Sequence, residues 1–334
     1  MIKVAVDAMG GDFAPKEQVL GAQMAIKEAS DIEIILYGRE EEIKKYLKND
    51  ERITIVDARD VIPMGEHDPV HAIRTMNDSS MVKAMMAVRS GDADCICSSG
   101  PTQALVVGAH LIIRRMEGFK RVALAPLIPN LKTDGSTIIL DSGANIEIKP
   151  EYLLQQAKFA SVYAREILGI ENPSIGLMNI GVEESKGREF EKECFKLLSE
   201  SNLNFIGNVE TKDVLEPPCD ILISDGFTTN MVVKTIEGTA KSTGKALKKY
   251  LMSGFFSKIG ALIAKGSLNK YKKAMNPDEK AGAMIYGVNY PVVKAHGSSE
   301  ANAFMHGILL AASVKREGVI DKVKKALSEE ANIE

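Results

Sequence analysis

The sequence lacks the features that would mark a secreted or membrane-spanning protein. No apolar run reaches the ~18 residues that a membrane span needs. Asp7 interrupts the first apolar stretch before the core of a secretion signal could form. The four cysteines show no metal-ligand spacing, because one residue separates Cys95 from Cys97 and Cys194 and Cys219 lie far away. A strand pattern such as DCICS is typical of reduced, buried cysteines, so we expect a cytoplasmic protein.

The sequence also lacks the common nucleotide, nucleophile and metal motifs. It has no G-x-G-x-x-G fingerprint after a strand and no G-x-S-x-G elbow. The segment GTAKSTGKA from Gly238 resembles a Walker phosphate loop, but five residues separate its glycines where four are needed, alanine replaces the magnesium-binding Ser or Thr, and the pattern around it is helical. Pro69 between His67 and His71 argues against a helical metal pair. We therefore predict no metal site and no cofactor.

Positive charge is concentrated in one part of a chain whose formal net charge is −3. Residues 241–280 hold ten lysines and only two acidic residues. Apolar residues recur there at helical spacing, with lysines beside them: Met252, Phe255, Phe256, Ile259, Leu262 and Ile263, flanked by Lys258, Lys265, Lys270, Lys272 and Lys273. One interpretation is a helix that packs on the core and exposes its lysines. The other is a surface for an acidic partner or for anionic lipid headgroups.

Short apolar, β-rich segments alternate with amphipathic helical patterns along most of the 334 residues. The segments are IKVAVD, IEIILY, ITIVD, DCICS, VALA, STIILD, IGLMN and DILISD. This alternation predicts an α/β fold, a mostly parallel sheet covered by helices, and two final helices follow from Ser299 onward. Because no long linker or internal repeat divides the chain, we expect one catalytic unit over residues 1–334. Residues 241–280 are expected to form a basic, amphipathic helical excursion from it.

Six strand-to-helix junctions share Gly, Ser, Asn and Asp. In the first, DAMGGD, Gly10 and Gly11 allow positive φ and a close approach of backbone N–H groups to an anion, and Pro15 suits the first helical position. The others are SSGPTQA, DSGANIEIKP, NIGVEESKG, SDGFTTN and KAHGSSEAN. Ligands of such sheets bind at the carboxyl ends of the strands, so a shared anion site is predicted. The alternative is that these residues, which are ordinary turn formers, only close turns.

The last junction is the densest polar cluster. His296 precedes Gly297, and Ser298 or Ser299 can cap the helix that carries Asn302. Serine hydroxyls and backbone N–H groups at a helix start bind phosphate well, and the helix dipole favours the anion. The alternative interpretation is a simple helix cap beside a surface histidine.

Two further junctions offer charged and amide side chains. Lys186 lies in a glycine-flanked turn, where a mobile cation can neutralise phosphate or an oxyanion, although a lone loop lysine is usually only solvated. Asp141 with Asn145, and Asp225 with Asn230, either orient the lysine and the histidine, or line a pocket, or merely close turns.

Five of these motifs together resemble a known family. DAMGGD, LDSGAN with KP following, NIGVEESKG, DGFTTN and KAHGSS occur in this order over nearly the whole chain, and they resemble the acyl-ACP:phosphate acyltransferase family, PlsX. The resemblance implies transfer of a long-chain acyl group from acyl carrier protein to inorganic phosphate, which gives the acyl phosphate used in phospholipid synthesis. It also implies an α/β/α fold similar to isopropylmalate dehydrogenase and phosphotransacetylase, and a homodimer at the membrane surface.

The residues suit this chemistry. Because phosphate is itself the nucleophile, the enzyme must orient it, stabilise a tetrahedral oxyanion and protonate a leaving thiolate. We assign Lys186 to charge stabilisation, His296 to positioning or protonating the sulfur, and Ser298, Ser299 and Asn302 to the phosphate cradle. The other candidate phosphate- and substrate-binding residues are Asp7, Gly10, Gly11, Asp12, Arg74, Ser99, Gly100, Thr102, Asp141, Asn145, Asn179, Asp225 and Asn230. Of these, Asp7, Gly10, Gly11 and Asp12 are expected to shape loops rather than to transfer protons.

The same resemblance implies two roles for the basic segment, contact with acyl carrier protein and contact with the membrane. Acyl carrier protein is strongly acidic, so a local basic surface would steer its approach. Phe255 and Phe256 would rest in a lipid interface, with residues 251–273 as the membrane surface contact of a peripherally associated cytoplasmic enzyme. No nucleic-acid partner is expected.

Three signatures depart from the family pattern. Pro101 and Gln103 stand in SSGPTQA where the family has asparagine and glycine, and Thr229 replaces glycine in DGFTTN. Met76 and Asn77 stand before the SSM tripeptide, where the family commonly has basic residues. These departures leave open a divergent, non-catalytic scaffold that binds acyl-ACP or phosphate at the membrane. The related fold leaves open a second enzyme, one that transfers short acyl chains between coenzyme A and phosphate.

Overall fold

The computed structural model describes residues 1–48, 51–133, 135–274 and 282–331, and within them a single eleven-stranded sheet. The strands are β1 (Ile2–Asp7), β2 (Ile32–Gly38), β3 (Ile53–Asp57), β4 (Cys95–Ser98), β5 (Ala123–Asn130), β6 (Gly135–Leu140), β7 (Ser174–Asn179), β8 (Asn204–Glu210), β9 (Ile221–Ile223), β10 (Ala283–Tyr286) and β11 (Val292–Lys294). Their order across the sheet is β3-β2-β1-β4-β11-β10-β5-β6-β9-β7-β8.

The centre of the sheet is antiparallel and both flanks are parallel. The pairs β11–β10, β10–β5 and β5–β6 run antiparallel, and the remaining neighbours run parallel. As a result β1 to β4 and β11 point in one direction, and β6 to β9 point in the other. The carboxyl ends of the two flanks therefore face opposite ways, which the sequence pattern did not predict.

The register of β5 brings these opposed ends together. Lys294 at the end of β11 pairs with Ala283, which in turn pairs with Pro126 in β5. On the other side of β5, the loop that follows β6 begins beside nearly the same position of β5. The N–H of Ser142 in this loop donates to the carbonyl of Leu124 at 2.8 Å. Strands from the two flanks thus approach from opposite directions and end beside the same part of β5.

Helices cover both faces of the sheet. In chain order they are α1 (Lys16–Glu28), α2 (Glu40–Ile43), α3 (Pro69–Thr75), α4 (Ser80–Ser90), α5 (Thr102–Gly108), α6 (Pro150–Leu168), α7 (Glu189–Ser199), α8 (Gly226–Leu251), α9 (Phe255–Ile263), α10 (Lys265–Ala274), α11 (Ala301–Arg316) and α12 (Val319–Ala331). A π-helix (Ala109–Ile113) follows α5, and a 3-10 helix (Thr211–Asp213) follows β8.

Two hydrophobic layers result from this arrangement. On one face a continuous core joins the sheet to α1, α6, α7, α11 and α12. On the other face α3 to α5 cover the first flank, and the first half of α8 covers the second. In β1, Val4 and Val6 enter the first layer and Ala5 the second, as expected for a strand buried on both sides. The predicted α/β fold with a mostly parallel sheet is confirmed, and so are the two final helices.

The basic segment is helical in its described part. It begins in the second half of α8 and continues through α9 and α10, and residues 275–281 lie outside the described part of the chain. The apolar side chains of α9 are exposed rather than packed on the core: Phe255 by 74%, Phe256 by 85%, Leu262 by 71% and Ile263 by 81%. The core-packing interpretation is therefore wrong for the described part of this segment. None of the helices in the described residues is both long and apolar enough to cross a membrane.

Candidate active site

A cavity of about 300 Å³ lies over the centre of the sheet, between the start of α5 and the first half of α8. Its apolar wall comes mainly from β5 and β10, with Leu124, Pro126, Leu127, Ile128 and Ala283. Its polar wall comes from four of the six predicted junctions and from α8: Thr102, Gln103, Ser142, Asn230, Lys234, Glu237, Lys294, His296 and Ser299. Loops from both flanks of the sheet therefore meet at one cavity.

The β1–α1 turn does not line this cavity but contacts the segments next to it. The buried carboxylate of Asp7 accepts hydrogen bonds from the hydroxyls of Ser80 at 2.5 Å and Ser98 at 2.6 Å, and from the N–H of Met9 at 3.3 Å. Burial raises the pKa of Asp7, and these hydrogen bonds oppose the increase. Because its partners come from three different segments, Asp7 ties the turn to α4 and β4.

The double glycine packs against the neighbouring loops. A Cβ on Gly10 would lie 2.6 Å from the backbone nitrogen of Gly100, and Gly11 has φ +103°. The hydroxyl of Ser99 donates to the carbonyl of Gly10 at 2.7 Å. Asp12 donates its N–H to the carbonyl of Gly297 at 2.8 Å. The turn thus contacts the loops after β4 and β11, and its glycines are needed for that close approach.

Lys294 is the residue that the sequence interpretation missed. It ends β11, lines the cavity and is only 7% exposed. Its Nζ donates to the carbonyl of Ser99 at 3.4 Å and to the carbonyl of Ala295. Burial lowers the pKa of Lys294 to about 8, although the nearby negative charges of Asp7 and Asp12 act in the opposite direction. The only signal in the sequence was a lysine that ends the apolar run VVK directly before AHGSS.

His296 is exposed at the mouth of the cavity, and its orientation is fixed by Ser298. The N–H of Ser298 donates to Nδ1 of His296 at 3.3 Å, and the hydroxyl of Ser298 lies 2.8 Å from the same atom. In the tautomer whose Nδ1 accepts this backbone N–H, the ring proton lies on Nε2. The ring is therefore arranged to act as a donor through Nε2.

The start of α11 differs from the prediction. Neither Ser298 nor Ser299 caps the helix, since Glu300 occupies the N-cap position without a side-chain cap bond. The first helical N–H, that of Ala301, donates instead to Glu17 at 2.9 Å. Ser299 is buried and lines the cavity, whereas Asn302 is exposed and lies outside the residues that line it. The geometry therefore brings Ser299, but not Asn302, to the cavity.

The DSGAN loop after β6 is organised by Asp141. Its buried carboxylate accepts the N–H groups of Leu124, Ala144 and Asn145 at 2.8 to 3.0 Å, and the side-chain amide of Asn145 at 2.7 Å. Burial raises the pKa of Asp141, and these bonds oppose the increase. The arrangement places Ser142 and Gly143, rather than Asp141 and Asn145, at the cavity.

The DGFTTN junction caps α8 and reaches the cavity. Asp225 accepts the N–H of Thr228 at 2.7 Å, as an N-cap residue does. Asn230, one turn further along, lines the cavity and donates to the carbonyl of Ser142 at 3.2 Å. Thr229, which departs from the family pattern, is fully buried and its hydroxyl lies 3.5 Å from the carbonyl of Leu140.

Lys186 lies apart from the other assigned catalytic residue. It is exposed on the loop between β7 and α7, and it is not among the residues that line the cavity. The side chain of Asn179 donates to the carbonyl of Lys186 at 3.1 Å and holds the loop. Arg188 then pairs with Asp225 and so joins this loop to the start of α8. The catalytic assignment of Lys186 stays a prediction.

The β4–α5 loop carries both predicted ligands and family departures. Thr102 and Gln103 line the cavity, whereas Pro101 is buried at the N-cap position of α5. Gln103 therefore occupies cavity space that a glycine would leave open. Arg74, at the end of α3, is exposed and not among the residues that line the cavity. Met76 lies just after α3 as its C-cap.

A larger groove of about 950 Å³ adjoins the cavity. It runs between the second half of α8 and α9–α10, and the two spaces share Glu237 and His296. Its wall alternates apolar and basic side chains: Leu247, Leu251, Met252 and Leu268, with Lys241, Lys245, Lys248 and Lys265. In the described part of the chain, no three His, Cys, Asp or Glu side chains are close enough to hold a metal ion.

Comparison with known proteins places this architecture in a family. Residues 2–322 match the family described as fatty acid synthesis protein. The chain belongs to that family. The resemblance inferred from the motifs is thereby confirmed.

Relatives named phosphate acyltransferase match nearly the whole chain. It is 45% identical over 328 residues to the phosphate acyltransferase of Geobacillus sp. (strain WCH70), covering 98% of this chain and 99% of that protein. It is 45% identical over 333 residues to the phosphate acyltransferase of Bacillus pumilus (strain SAFR-032), covering 100% of both. A phosphotransacetylase from Streptococcus pyogenes has the same fold, with a TM-score of 0.60 at 16% identity over 96% of this chain and 94% of that one.

Proposed function

We propose that this protein is an acyl-ACP:phosphate acyltransferase that transfers a long-chain fatty acyl group from its carrier thioester to inorganic phosphate. The observation that carries the proposal is the cavity in which Lys294, His296 and Ser299 face an apolar wall. A phosphate oxygen attacks the thioester carbonyl carbon, the tetrahedral oxyanion collapses, and the carbon–sulfur bond breaks. The products are an acyl phosphate and, after protonation of the thiolate, the free carrier thiol.

Lys294, Thr102 and Ser299 form the phosphate-binding end of this site. The ammonium group of Lys294 has a pKa of about 8 and is therefore mostly charged at neutral pH. Without phosphate, the ammonium group donates to two neutral carbonyl oxygens. When phosphate binds beside it, the ammonium group donates to an anionic oxygen instead, and hydrogen bonds between charged groups are about twice as strong as neutral ones. The hydroxyls of Thr102 and Ser299 supply further donors at the same cavity.

His296 acts on the leaving group. Its Nε2 proton is donated to the sulfur as the carbon–sulfur bond breaks, while Ser298 holds Nδ1 and fixes the ring. Lys186 is assigned to the oxyanion, which requires its loop to close toward the cavity when substrate binds. Such closure is common in enzymes that exclude water from the reaction.

The adjoining groove favours a long-chain donor over a short-chain one. Its apolar side chains continue from His296 toward the exposed face of α9, so a chain attached to the reacting carbonyl has an apolar path. Each buried methylene contributes about 0.8 kcal/mol, which corresponds to roughly a fourfold gain in affinity. An acetyl group would leave this groove empty.

The basic and apolar surfaces around the groove are the proposed contacts with partners. The lysines of α8 and α10 would steer the acidic acyl carrier protein, and α9 would enter the headgroup region of a membrane. We further propose a homodimeric, cytoplasmic enzyme, peripherally associated with the membrane, in which residues 1–334 act as one catalytic unit.

The deciding experiment is an acyl-transfer assay with radiolabelled phosphate. Purified protein is incubated with palmitoyl-ACP, palmitoyl-CoA or acetyl-CoA, and acyl phosphate is measured. We expect product from palmitoyl-ACP. Product from acetyl-CoA alone would support the short-chain alternative. Binding of palmitoyl-ACP without any product would support the scaffold alternative.

A further inference from the structure

A second cationic cavity lies at the other end of the elements that build the reaction cavity. It has a volume of about 460 Å³ and lies where β11 begins and where α4 and α11 end. Its charged lining consists of Arg89, Arg114, Lys315, Lys324 and Asp321. None of these residues lines the reaction cavity or its groove. The two spaces are therefore separate sites.

The positive charge in this second cavity is only partly compensated. Lys315 pairs with Asp94 at 3.2 Å, and Lys324 lies 3.8 Å from Asp321. Within the described residues, neither the guanidinium of Arg89 nor that of Arg114 forms an ion pair or a hydrogen bond. Two arginines that border a concave space without carboxylate partners suit a ligand with more than one negative charge, because the planar guanidinium binds phosphate through two parallel bonds.

The backbone holds Arg114 at this cavity in an unusual conformation. Arg114 has φ +69°, a region that side chains other than glycine rarely adopt. Its carbonyl accepts the backbone N–H of Asn289 at 3.1 Å and the side-chain amide of Asn289 at 3.2 Å. It directly follows the π-helix, a feature that frequently marks functional sites. Strained residues that are held by several contacts cluster at ligand-binding positions.

The remaining wall is apolar and aromatic. Ile113, Tyr290, Pro291, Val314 and Ile320 line the cavity together with the charged residues. The cavity volume falls in the range of about 300–1,000 Å³ that is usual for small-molecule sites. A bare phosphate ion would leave this wall without a partner, whereas an organic group attached to the phosphates would cover it.

We propose that this cavity binds a small organophosphate, such as a nucleoside diphosphate, through Arg89 and Arg114. Its two phosphate groups lie between the arginines and Lys324, and its organic part packs on Tyr290 and Pro291. The site does not depend on the proposed acyl transfer, and no acyl donor is needed to detect it.

The test is isothermal titration calorimetry of the full-length protein with ADP and, separately, with inorganic pyrophosphate at low salt. We expect ADP to bind more tightly than pyrophosphate. The R89A/R114A variant should bind ADP at least tenfold more weakly. The control R121A/R165A, which removes two exposed arginines outside both cavities, should change the affinity less than twofold.

Two single variants, K324A and K294M, separate loss of the proposed contacts from loss of folding and from binding in the reaction cavity. K324A changes an exposed side chain and should also weaken ADP binding, so a folding defect in R89A/R114A would not hide the result. K294M, in the reaction cavity, should leave ADP affinity unchanged. The proposal is overturned if ADP gives no binding heat, if pyrophosphate binds as tightly as ADP, or if the loss of affinity follows K294M instead of the arginine and Lys324 variants.

Discussion

Lys294→Met separates the catalytic use of Lys294 from its effect on stability. Methionine keeps most of the side-chain length and removes the charge. If Lys294 binds phosphate, the variant loses a charge-assisted hydrogen bond of about 1.5–3 kcal/mol, and kcat/KM for phosphate falls by about 10- to 150-fold. Most of this loss should appear in the KM for phosphate, since the reacting groups themselves are unchanged.

The same substitution should stabilise the protein at neutral pH. Burial lowers the pKa of Lys294 from 10.5 to about 8, so the folded protein binds this proton more weakly than the unfolded chain does. Below pH 8 the folded state therefore carries the full cost of a buried charge, and this cost disappears as the pH rises from 8 to 10.5. The size of the effect is about 3 kcal/mol in the free energy of unfolding.

Urea unfolding at pH 7 and at pH 10, for the wild type and Lys294→Met, measures this directly. The wild type should gain stability relative to the variant between the two pH values. Lys234→Met is the matched control, because Lys234 also lines the cavity but is exposed and paired with Glu237 at 2.7 Å. An unchanged stability difference at the two pH values, or a wild-type KM for phosphate in Lys294→Met, would refute the reasoning.

Three further predictions follow from the same geometry. Lys186→Ala should lower kcat by about 10²–10³-fold, the usual loss when one oxyanion donor is removed, and near-normal turnover would reject its assignment. Phe255→Asp with Phe256→Asp should abolish sedimentation with anionic vesicles, because two exposed aromatic rings are replaced by charges, and unchanged binding would reject the membrane role. Gly226→Ala should lower the free energy of unfolding by about 1–3 kcal/mol, since its Cβ would overlap the backbone after β6, whereas Gly238→Ala, in the same helix with open space around it, should raise the melting temperature.

Matched controls exist for the first two of these predictions. Lys192→Ala removes an exposed lysine on α7, the helix that directly follows the Lys186 loop, and should leave turnover unchanged. Met86→Asp adds a charge at a half-exposed position on α4 and should leave vesicle binding unchanged. Equal effects of a control and its paired substitution would point to a general loss of folding rather than to the proposed contact.

The sequence predicted the fold class because local patterns carry that information. Strands such as β1 and β4 are short, largely apolar and buried on both faces, and each is followed by a helix. The antiparallel centre could not be predicted in the same way. The pairing of β10 with β5 joins Ala283 to Pro126, and nothing in either local segment specifies a partner so far away along the chain.

The candidate site was predictable where it depends on turn residues and missed where it depends on burial. Thr102, Asn230, His296 and Ser299 stand in polar junctions, and the structure brings all four to one cavity. Lys294 stands in an apolar strand, and its burial and its contact with the carbonyl of Ser99, 195 residues away, depend on tertiary packing that the local sequence does not show. The expected caps at Ser298 and Ser299 were wrong for a similar reason, since Glu17 on α1 takes the first helical N–H of α11.

The double-glycine turn after β1 acts on the cavity through Ser99. The carbonyl of Gly10 accepts hydrogen bonds from the hydroxyl of Ser99 at 2.7 Å and from the side chain of Gln18 at 2.9 Å. The carbonyl of Ser99 in turn accepts the ammonium group of Lys294. Any side chain at Gly10 would push away the loop that carries Ser99, because its Cβ would lie 2.6 Å from the nitrogen of Gly100. The glycines of this turn therefore let the loop after β4 approach closely, and that loop holds Lys294 through the carbonyl of Ser99.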